Sequence, residues 1–126
     1  MLYQATGGLL HLTRTHAAPL AGFQLAALLA NQALDTKAHN IVVLSLQSVS
    51  TIADYFVVAS VHSRPQMQAL ATRITKHLKA LGITLCGYAP DTSGHWTVID
   101  CGDVVVHLLH DEDRHYYQLE RFWSHA

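Results

Sequence analysis

The sequence predicts a single α/β or α+β domain in which helices flank a mixed β-sheet. A short, continuous apolar run at Tyr55–Ser60 is typical of a strand buried on both faces, and so of helices on each side of a sheet. A helical repeat over Ser63–Leu81 has start and stop signals at its two ends. Alternating apolar residues on both sides of Cys101 and Gly102 indicate a β-hairpin. With the weaker segments included, the predicted order is helix, two strands, helix, three strands, helix.

Composition limits the class of protein and its partners. The chain has 126 residues, of which 50% are hydrophobic, so one domain with its own core is expected. Only 13% are charged and the formal net charge is −1, which does not provide the basic surface that binds a phosphate backbone. We therefore expect no direct, sequence-specific nucleic-acid binding, and contact with any nucleoprotein through its protein component. No apolar run approaches the roughly 20 residues of a membrane span, so no membrane association is expected.

The N-terminal segment and the cysteines bear on domain limits and compartment. Residues 1–19 have no clear period and end at Pro19, so we expect a poorly ordered tail there and a folded domain over residues 20–126. The apolar stretch Gly7–Leu12 does not follow the positively charged segment of a secretory signal. Cys86 and Cys101 have neither metal-site spacing nor the density of a disulfide scaffold. We interpret them as small buried residues of a reduced, cytoplasmic protein.

Local patterns predict the elements of the first half. Leu20–Thr36 has apolar residues at helical spacing, and Asn40–Gln47 has the β-branched content of a strand. In the next helix, Ser63 and Gln66 have the spacing of a capping box. Gly82 follows the last helical turn, where a left-handed residue commonly ends a helix.

The second half begins with a short strand at Ile83–Gly87 and a loop at Ala89–Gly94. In the hairpin that follows, a turn at Cys101 and Gly102 sets the register. The predicted pairs on one face are Asp100 with Asp103, Val98 with Val105, and Trp96 with His107. The opposite face carries Thr97, Ile99, Val104 and Val106. Asp111 is placed to cap a final helix with Tyr116, Leu119 and Trp123 along one side.

The histidine content raises the question of a metal site. Ten histidines occur, and the most closely spaced set is His107, His110 and His115. Residues three apart on a strand point to opposite faces, so His107 and His110 do not chelate one ion together. Because no zinc motif occurs either, we expect no metal and no cofactor.

Asp100 and Asp103 allow three interpretations. Two carboxylates at a hairpin tip could hold a divalent ion for nucleotidyl or phosphoryl transfer. That chemistry also needs a phosphate cradle, and the turn before the strong helix, residues 59–64, contains no glycine. Alternatively, one Asp supports the turn through its side chain, or both contact a basic partner. We favour the partner interpretation and expect no catalytic residues.

Trp96 lies on an alternating strand near these acids, and its pattern fits a core residue and an exposed protein-binding anchor equally well. The nucleophile elbow G-x-S-x-G, the P-loop and the dinucleotide fingerprint do not occur in the sequence. A binding protein is therefore a better interpretation than an enzyme.

Three motifs, in order and with matching spacing, resemble one family. Residues 50–60 (STIADYFVVAS) resemble the signature S-x-I-A-D-Y-x-V-I-A of the ribosomal silencing factors, the RsfS or Iojap family. Residues 96–107 (WTVIDCGDVVVH) resemble its W-x-x-I-D-x-G-D-V-I-I-H hairpin. Residues 117–123 (YQLERFW) resemble its Y-x-L-E-x-x-W ending.

The resemblance implies a nucleotidyltransferase-like fold that has lost catalysis. It implies docking on a protein of the large ribosomal subunit (L-fourteen), where the bound factor sterically blocks joining of the small subunit and represses translation. It also implies a homodimer when free. Carried over by motif, the partner-binding residues would be Trp96, Asp100, Gly102, Asp103 and His107. Two other hypotheses stay open: a metal-dependent nucleotidyltransferase using Asp100 and Asp103, and a large-subunit assembly factor acting at the same docking site.

Overall fold

A computed structural model describes residues 2–4, 22–47, 53–90 and 93–113, which form six strands and two helices. In chain order these elements are β1 (Leu2–Gln4), α1 (Gly22–Asp35), β2 (His39–Ser45), β3 (Tyr55–Val61), α2 (Arg64–Ala80), β4 (Gly87–Ala89), β5 (Trp96–Asp100) and β6 (Val104–His110). The strands form one sheet in the order β1-β2-β3-β6-β5-β4. Only the central pair of strands, β3 and β6, is parallel. The predicted mixed sheet in a single α+β domain is therefore confirmed.

The central strand β3 is buried on both faces, as its continuous apolar sequence predicted. All of its residues except Phe56 are buried. Both described helices pack on one face, where they form the main core with residues such as Val57 of β3 and Val106 of β6. The other face carries a second buried cluster that includes Val58 and Leu109. The predicted final helix after Asp111 lies almost wholly outside the described residues.

Helix α1 covers its side of the sheet with the small residues that its sequence supplies. Ala27 and Ala30 are fully buried, and Phe23 and Leu34 are partly buried against the same core. The apolar face predicted for this helix is therefore confirmed. Its small side chains also let the helix approach the sheet closely. Neither described helix is long and apolar enough to cross a membrane.

Helix α2 begins and ends where its sequence predicts. The Ser63 side chain accepts a hydrogen bond from the Gln66 N–H at 3.2 Å, and Gly82 has a φ of +76° just after the last turn. The reciprocal bond of the capping box is displaced by one residue. The Gln66 side chain accepts from the N–H of His62, at 2.6 Å, instead of from that of Ser63.

The hairpin register differs from the prediction, although the faces do not. Val98 pairs with His107 and Asp100 pairs with Val105, because the turn is centred on Gly102 and Asp103. Gly102 has a φ of +90°, which suits the first central position of a tight hairpin turn. Side chains alternate with a period of two, so a register change of two residues leaves each side chain on its predicted face.

The two edges of the sheet also differ from expectation. β4 comprises Gly87–Ala89 and not Ile83–Gly87, because pairing of its backbone with β5 decides where it forms, and its side chains are exposed. Pro90 follows and has no N–H to donate to a ladder. At the opposite edge, Leu2–Gln4 pairs with β2. Residues 5–21 lie outside the described residues, and the limit between tail and domain stays a prediction.

Candidate functional site

The hairpin turn is built around Asp100. Its Oδ1 accepts a hydrogen bond from the Gly102 N–H at 2.8 Å, and the Cys101 N–H donates to the carbonyl of Val104 at 2.8 Å. An Asp that bonds the backbone two residues ahead stabilises a turn locally. Asp100 therefore supports the turn through its side chain, which was one of the three interpretations of the acidic pair.

The turn is joined to the beginning of β3 by the backbone of Asp103. Its carbonyl accepts the N–H of Asp54 at 2.8 Å and the N–H of Tyr55 at 3.0 Å. These bonds bring together two motifs that are separated in the sequence, and β3 and β6 then run on in parallel from this point. We call Asp54, Asp100, Gly102 and Asp103 the hairpin corner.

The hairpin corner gathers three carboxylates on a rigid frame. The Asp103 side chain is exposed, while those of Asp54 and Asp100 are partly exposed. None of the three takes part in an ion pair within the described part of the chain. Within the described residues, the corner is therefore an acidic surface whose carboxylates are not neutralised by a neighbouring cation. Asp54 belongs to the first motif, but sequence reasoning did not select it as a site residue.

Trp96 and His107 lie farther along the same face of the sheet, with Phe56. The Trp96 indole N–H donates to Nδ1 of His107 at 3.1 Å, and the ring centroids of Phe56 and His107 are 4.5 Å apart. We call these three residues the aromatic cluster. Trp96 is partly exposed and packs against the second core cluster. Trp96 is therefore packed against the core and still partly accessible, so its role as a protein-binding anchor stays a prediction.

His107 is an interior residue with only 7% of its surface exposed. Burial lowers the pKa of its imidazole from the ordinary 6.5 to about 4. The ring is therefore neutral near pH 7, with Nδ1 as the acceptor of the Trp96 bond and the proton on Nε2. A direct contact between His107 and a partner would require this cluster to open.

The five predicted site residues are thus divided between two places. Asp100, Gly102 and Asp103 lie together in the hairpin corner. Trp96 is four residues from Asp100, which is about 13 Å along the strand. The exposed and partly exposed carboxylates lie in the corner, whereas Trp96 and His107 lie in the aromatic cluster, which packs against the second core cluster.

The two cysteines flank the corner. Cys86 is exposed, so its predicted burial is wrong, because residues 83–86 run outside the sheet before β4 begins. Cys101 is half-buried, and burial raises the pKa of its thiol to about 12, assisted by the neighbouring Asp100 and Cys86. Both thiols are free.

The amino end of α2 does not provide the phosphate cradle that nucleotidyl transfer requires. Two of the N–H groups near this end already donate to side chains: that of Gln66 to Ser63, and that of His62 to Gln66. An anion site at a helix start depends on such donors being free. Among the described residues, the start of α2 therefore offers few free donors to a phosphate, and it lies at the end of β3 opposite the hairpin corner.

A cluster that sequence reasoning missed lies at the other end of the sheet, where His39, His62 and Asp111 converge. The residues are 23 and 49 positions apart in the chain, so no local motif could have indicated it. The most closely spaced histidines in the sequence, His107, His110 and His115, were not expected to form a metal site, and His115 lies outside the described residues.

Fold and site together define a class of protein: a small α+β domain that presents a carboxylate-rich hairpin corner on a rigid mixed sheet. The family model described as "Ribosomal silencing factor during starvation" matches residues 20–126. The ribosomal silencing factor of Halalkalibacterium halodurans is 37% identical over 103 residues, covering 82% of this chain and 88% of the relative. That of Bacillus subtilis is 36% identical over 92 residues, covering 73% and 78%.

A solved structure has the same fold. The crystal structure of a protein from Chromobacterium violaceum is similar to this fold with a TM-score of 0.79 and 30% identity, covering 83% of this chain and 88% of that one. The chain belongs to the ribosomal silencing factor (RsfS) family. The names of its relatives describe a regulatory role.

Proposed function

We propose that this protein associates with the ribosome and silences translation by docking on the large subunit and blocking the small subunit from joining. The observation that carries the proposal is membership of the silencing factor family over residues 20–126. The resemblance of the hairpin motif extends it to a docking partner, the large-subunit protein L-fourteen. No chemical step is needed for this function, because a bound domain acts by occupying space.

The charge of the hairpin corner supports a basic protein as the partner. Three carboxylates lie within one turn and the strand start beside it, and no described cation neutralises them. Ribosomal proteins are rich in Lys and Arg, and complementary charges at an interface accelerate association and orient the partners. The main-chain bonds from Asp103 to Asp54 and Tyr55 hold the corner in one shape, so little conformational entropy is lost on binding.

Size supports a steric effect. A folded domain of 126 residues has a radius of gyration of about 14 Å, and so a width of roughly 35 Å. An object of that width on a subunit interface holds the two surfaces far beyond the range of direct contacts. Affinity for one subunit is therefore sufficient to prevent assembly.

The direct experiment is co-sedimentation of the purified protein with isolated large and small subunits, with the small subunit added last. We expect binding to the large subunit alone and loss of the joined-ribosome peak. Binding to the large subunit with normal joining would reject the steric mechanism. Binding to neither subunit would reject the proposal and return attention to a nucleotide substrate for Asp100 and Asp103, which calorimetry with Mg²⁺ and nucleotides would examine.

Charge variants test whether the hairpin corner is the docking surface. Asp103→Lys reverses an exposed charge that supports no side-chain bond in the described structure, and we expect about tenfold weaker binding to the large subunit. Asp35→Lys is the matched control. It makes the same charge change at an exposed position at the end of α1, where a cation is favoured by the helix dipole. The ion pair of Asp35 with Arg73, at 3.4 Å, is lost, but a solvent-exposed pair of this kind contributes at most about 1 kcal/mol. Equal effects of the two variants would mean that net charge, and not the corner, governs binding.

Asp100 needs a gentler substitution because its side chain also holds the turn. Asp100→Asn keeps an oxygen that can accept from the Gly102 N–H, and removes only the charge. We expect weaker binding with unchanged folding. Trp96→Ala is less informative about docking, because removing a packed indole destabilises a domain by about 3–5 kcal/mol and leaves His107 without its donor.

Two further parts of the proposal concern the oligomeric state and the cellular location. We expect a homodimer in free solution and a cytoplasmic location. Light scattering after size-exclusion chromatography measures the first, and a monomer at micromolar concentration would reject it. An assembly role at the same docking site would differ in outcome: deletion would then cause large-subunit precursors to accumulate, whereas loss of silencing alone leaves mature subunits.

A further inference from the structure

The cluster at the far end of the sheet combines two imidazoles and one carboxylate. His39 Nε2 contacts Asp111 Oδ1, and His62 Nδ1 lies 2.8 Å from Asp111 Oδ2. The two imidazole rings are stacked, with centroids 4.1 Å apart and planes inclined by 16°. One donor atom from each residue lies within 4.8 Å of the others. We call these three residues the histidine–aspartate cluster.

The topology of the sheet explains why these residues meet. β3 and β6 are parallel neighbours, and Val61 is paired with His110, so the residues that follow them, His62 and Asp111, leave the sheet at the same edge. β2 runs antiparallel on the other side of β3 and begins at this edge with His39, paired to Ser60. Three adjacent strands therefore deliver one donor each to the place where ligands commonly bind in sheets with parallel strands.

The geometry points to a binding site for one divalent transition-metal ion of the zinc class, held by His39, His62 and Asp111. Two imidazoles and a carboxylate form a donor set that proteins use for zinc, and nitrogen donors select against magnesium and calcium. Bonds of about 2.0–2.2 Å to one ion place donor atoms roughly 3.3 Å apart in a tetrahedral site. The present separations need only small rotations to reach that arrangement.

Exposure permits those rotations and leaves room for a fourth ligand. The side chain of His62 is 66% exposed, that of Asp111 is 38% exposed and that of His39 is 31% exposed. A water molecule can complete the coordination from the solvent side, as in open zinc sites. The site therefore needs no rearrangement of the sheet.

The expected affinity for a metal ion depends on the hydrogen bonds of the imidazole nitrogens that do not bind the ion. His39 Nδ1 is buried without a hydrogen-bond partner among the described residues. Metal-bound imidazoles normally donate their second N–H, and loss of such a bond weakens affinity by about 10–100-fold. We therefore expect dissociation constants nearer the micromolar than the nanomolar range.

The site is separate from the hairpin corner. The corner lies where β6 begins and the histidine–aspartate cluster lies where it ends, seven residues later, which is about 20 Å along the strand. A bound ion would tie the start of β2 to the turn before α2 and to the end of β6. Metal binding at this edge does not rest on the ribosomal proposal and can fail or succeed independently of it.

The test is calorimetric titration of the untagged, full-length protein with Zn²⁺, and with Mg²⁺ for comparison. We expect one Zn²⁺ ion per chain, no measurable Mg²⁺ binding, and a melting temperature raised by several degrees at saturating Zn²⁺. Affinity should fall as the pH is lowered, because imidazole binds metal only in its neutral form. Cobalt(II) bound at the same stoichiometry would report the coordination geometry through its visible absorption.

Matched variants separate this site from ordinary binding by a histidine-rich chain. His62→Ala should weaken Zn²⁺ binding at least about tenfold. His95→Ala is the control, since His95 also contacts a carboxylate, Asp113 at 2.6 Å, but in a pair outside any cluster of three donors in the described residues. It should leave affinity within about twofold. Asp111→Asn keeps the size of the side chain and an oxygen acceptor for one of the two imidazoles, and should weaken binding without loss of folding.

Three results would overturn the inference. These are no Zn²⁺ binding, binding at several weak sites that is unchanged in His62→Ala, or equal losses in His62→Ala and His95→Ala. In each case the cluster would be a hydrogen-bonded group at the sheet edge and nothing more.

Discussion

Replacing the interior His107 by Asn should change how the stability of the domain depends on pH. In the native state the imidazole is neutral, because burial lowers its pKa from 6.5 to about 4. Its Nδ1 also accepts the Trp96 N–H at 3.1 Å, so a proton on that atom would oppose a donor. Asn has no titratable group and offers an oxygen that can accept from the same indole. The variant therefore removes the titration while keeping the polar contact.

The magnitude follows from linkage between protonation and folding. As the pH falls from 6.5 towards 4, the unfolded chain binds a proton at His107 that the native chain does not, so stability is lost over that window. Each pKa unit corresponds to about 1.4 kcal/mol, so the full loss is about 3 kcal/mol. At neutral pH the smaller Asn costs about 1–2 kcal/mol through imperfect packing. The difference between the free energies of unfolding of native protein and variant should consequently become smaller in acid, and even change sign.

Urea denaturation followed by circular dichroism, at several values between about pH 7 and about pH 4, measures this difference. Carboxylates titrate in both proteins, so their contribution cancels when the two free energies of unfolding are subtracted. We expect the difference to change by about 3 kcal/mol across the window. Parallel curves for the two proteins would refute the buried, neutral imidazole.

Three further predictions concern the thiols, a helix cap and the core. A chromogenic disulfide reagent at about pH 8 should modify Cys86 rapidly and Cys101 slowly, because the thiolate is the reactive form and the pKa of Cys101 is raised to about 12. A Cys86→Ser variant that still reacts at the fast rate would contradict this assignment. Ser63→Ala should lower the free energy of unfolding by about 1 kcal/mol through loss of the cap on α2, and Ser63→Asp should restore it; no change on urea denaturation would rule out the cap. Leu70→Ala should cost about 3 kcal/mol in the same assay because its side chain is fully buried, and a loss below about 1 kcal/mol would indicate a looser core.

The sequence alone was sufficient wherever neighbouring residues decide the outcome. The caps of α2, the apolar run of β3 and the alternating strands around the hairpin depend on hydrogen bonds and periods of a few residues. Their prediction succeeded for that reason. The family was also identified from the motifs at residues 50–60 and 96–107, because those segments retain local patterns that a reader can match.

Contacts between distant segments were decided only by the tertiary structure. The turn lies at Gly102 and Asp103, and the carbonyl of Asp103 accepts hydrogen bonds from Asp54 and Tyr55, some fifty positions earlier. A side-chain pattern does not distinguish two registers that differ by two residues, since both bury the same face. The position of β4 depended in the same way on its pairing with β5.

The hairpin corner and the histidine–aspartate cluster show most clearly which features the sequence predicts and which depend on the tertiary structure. The types of residue in the hairpin corner were visible in the sequence, but the burial of His107 and the addition of Asp54 were not. The histidine–aspartate cluster has no sequence signal, because its members come from three strands that are neighbours only in the folded sheet. Helices, turns and strands can be predicted from the spacing of neighbouring residues. A site at a sheet edge forms only after the order and direction of the strands are established.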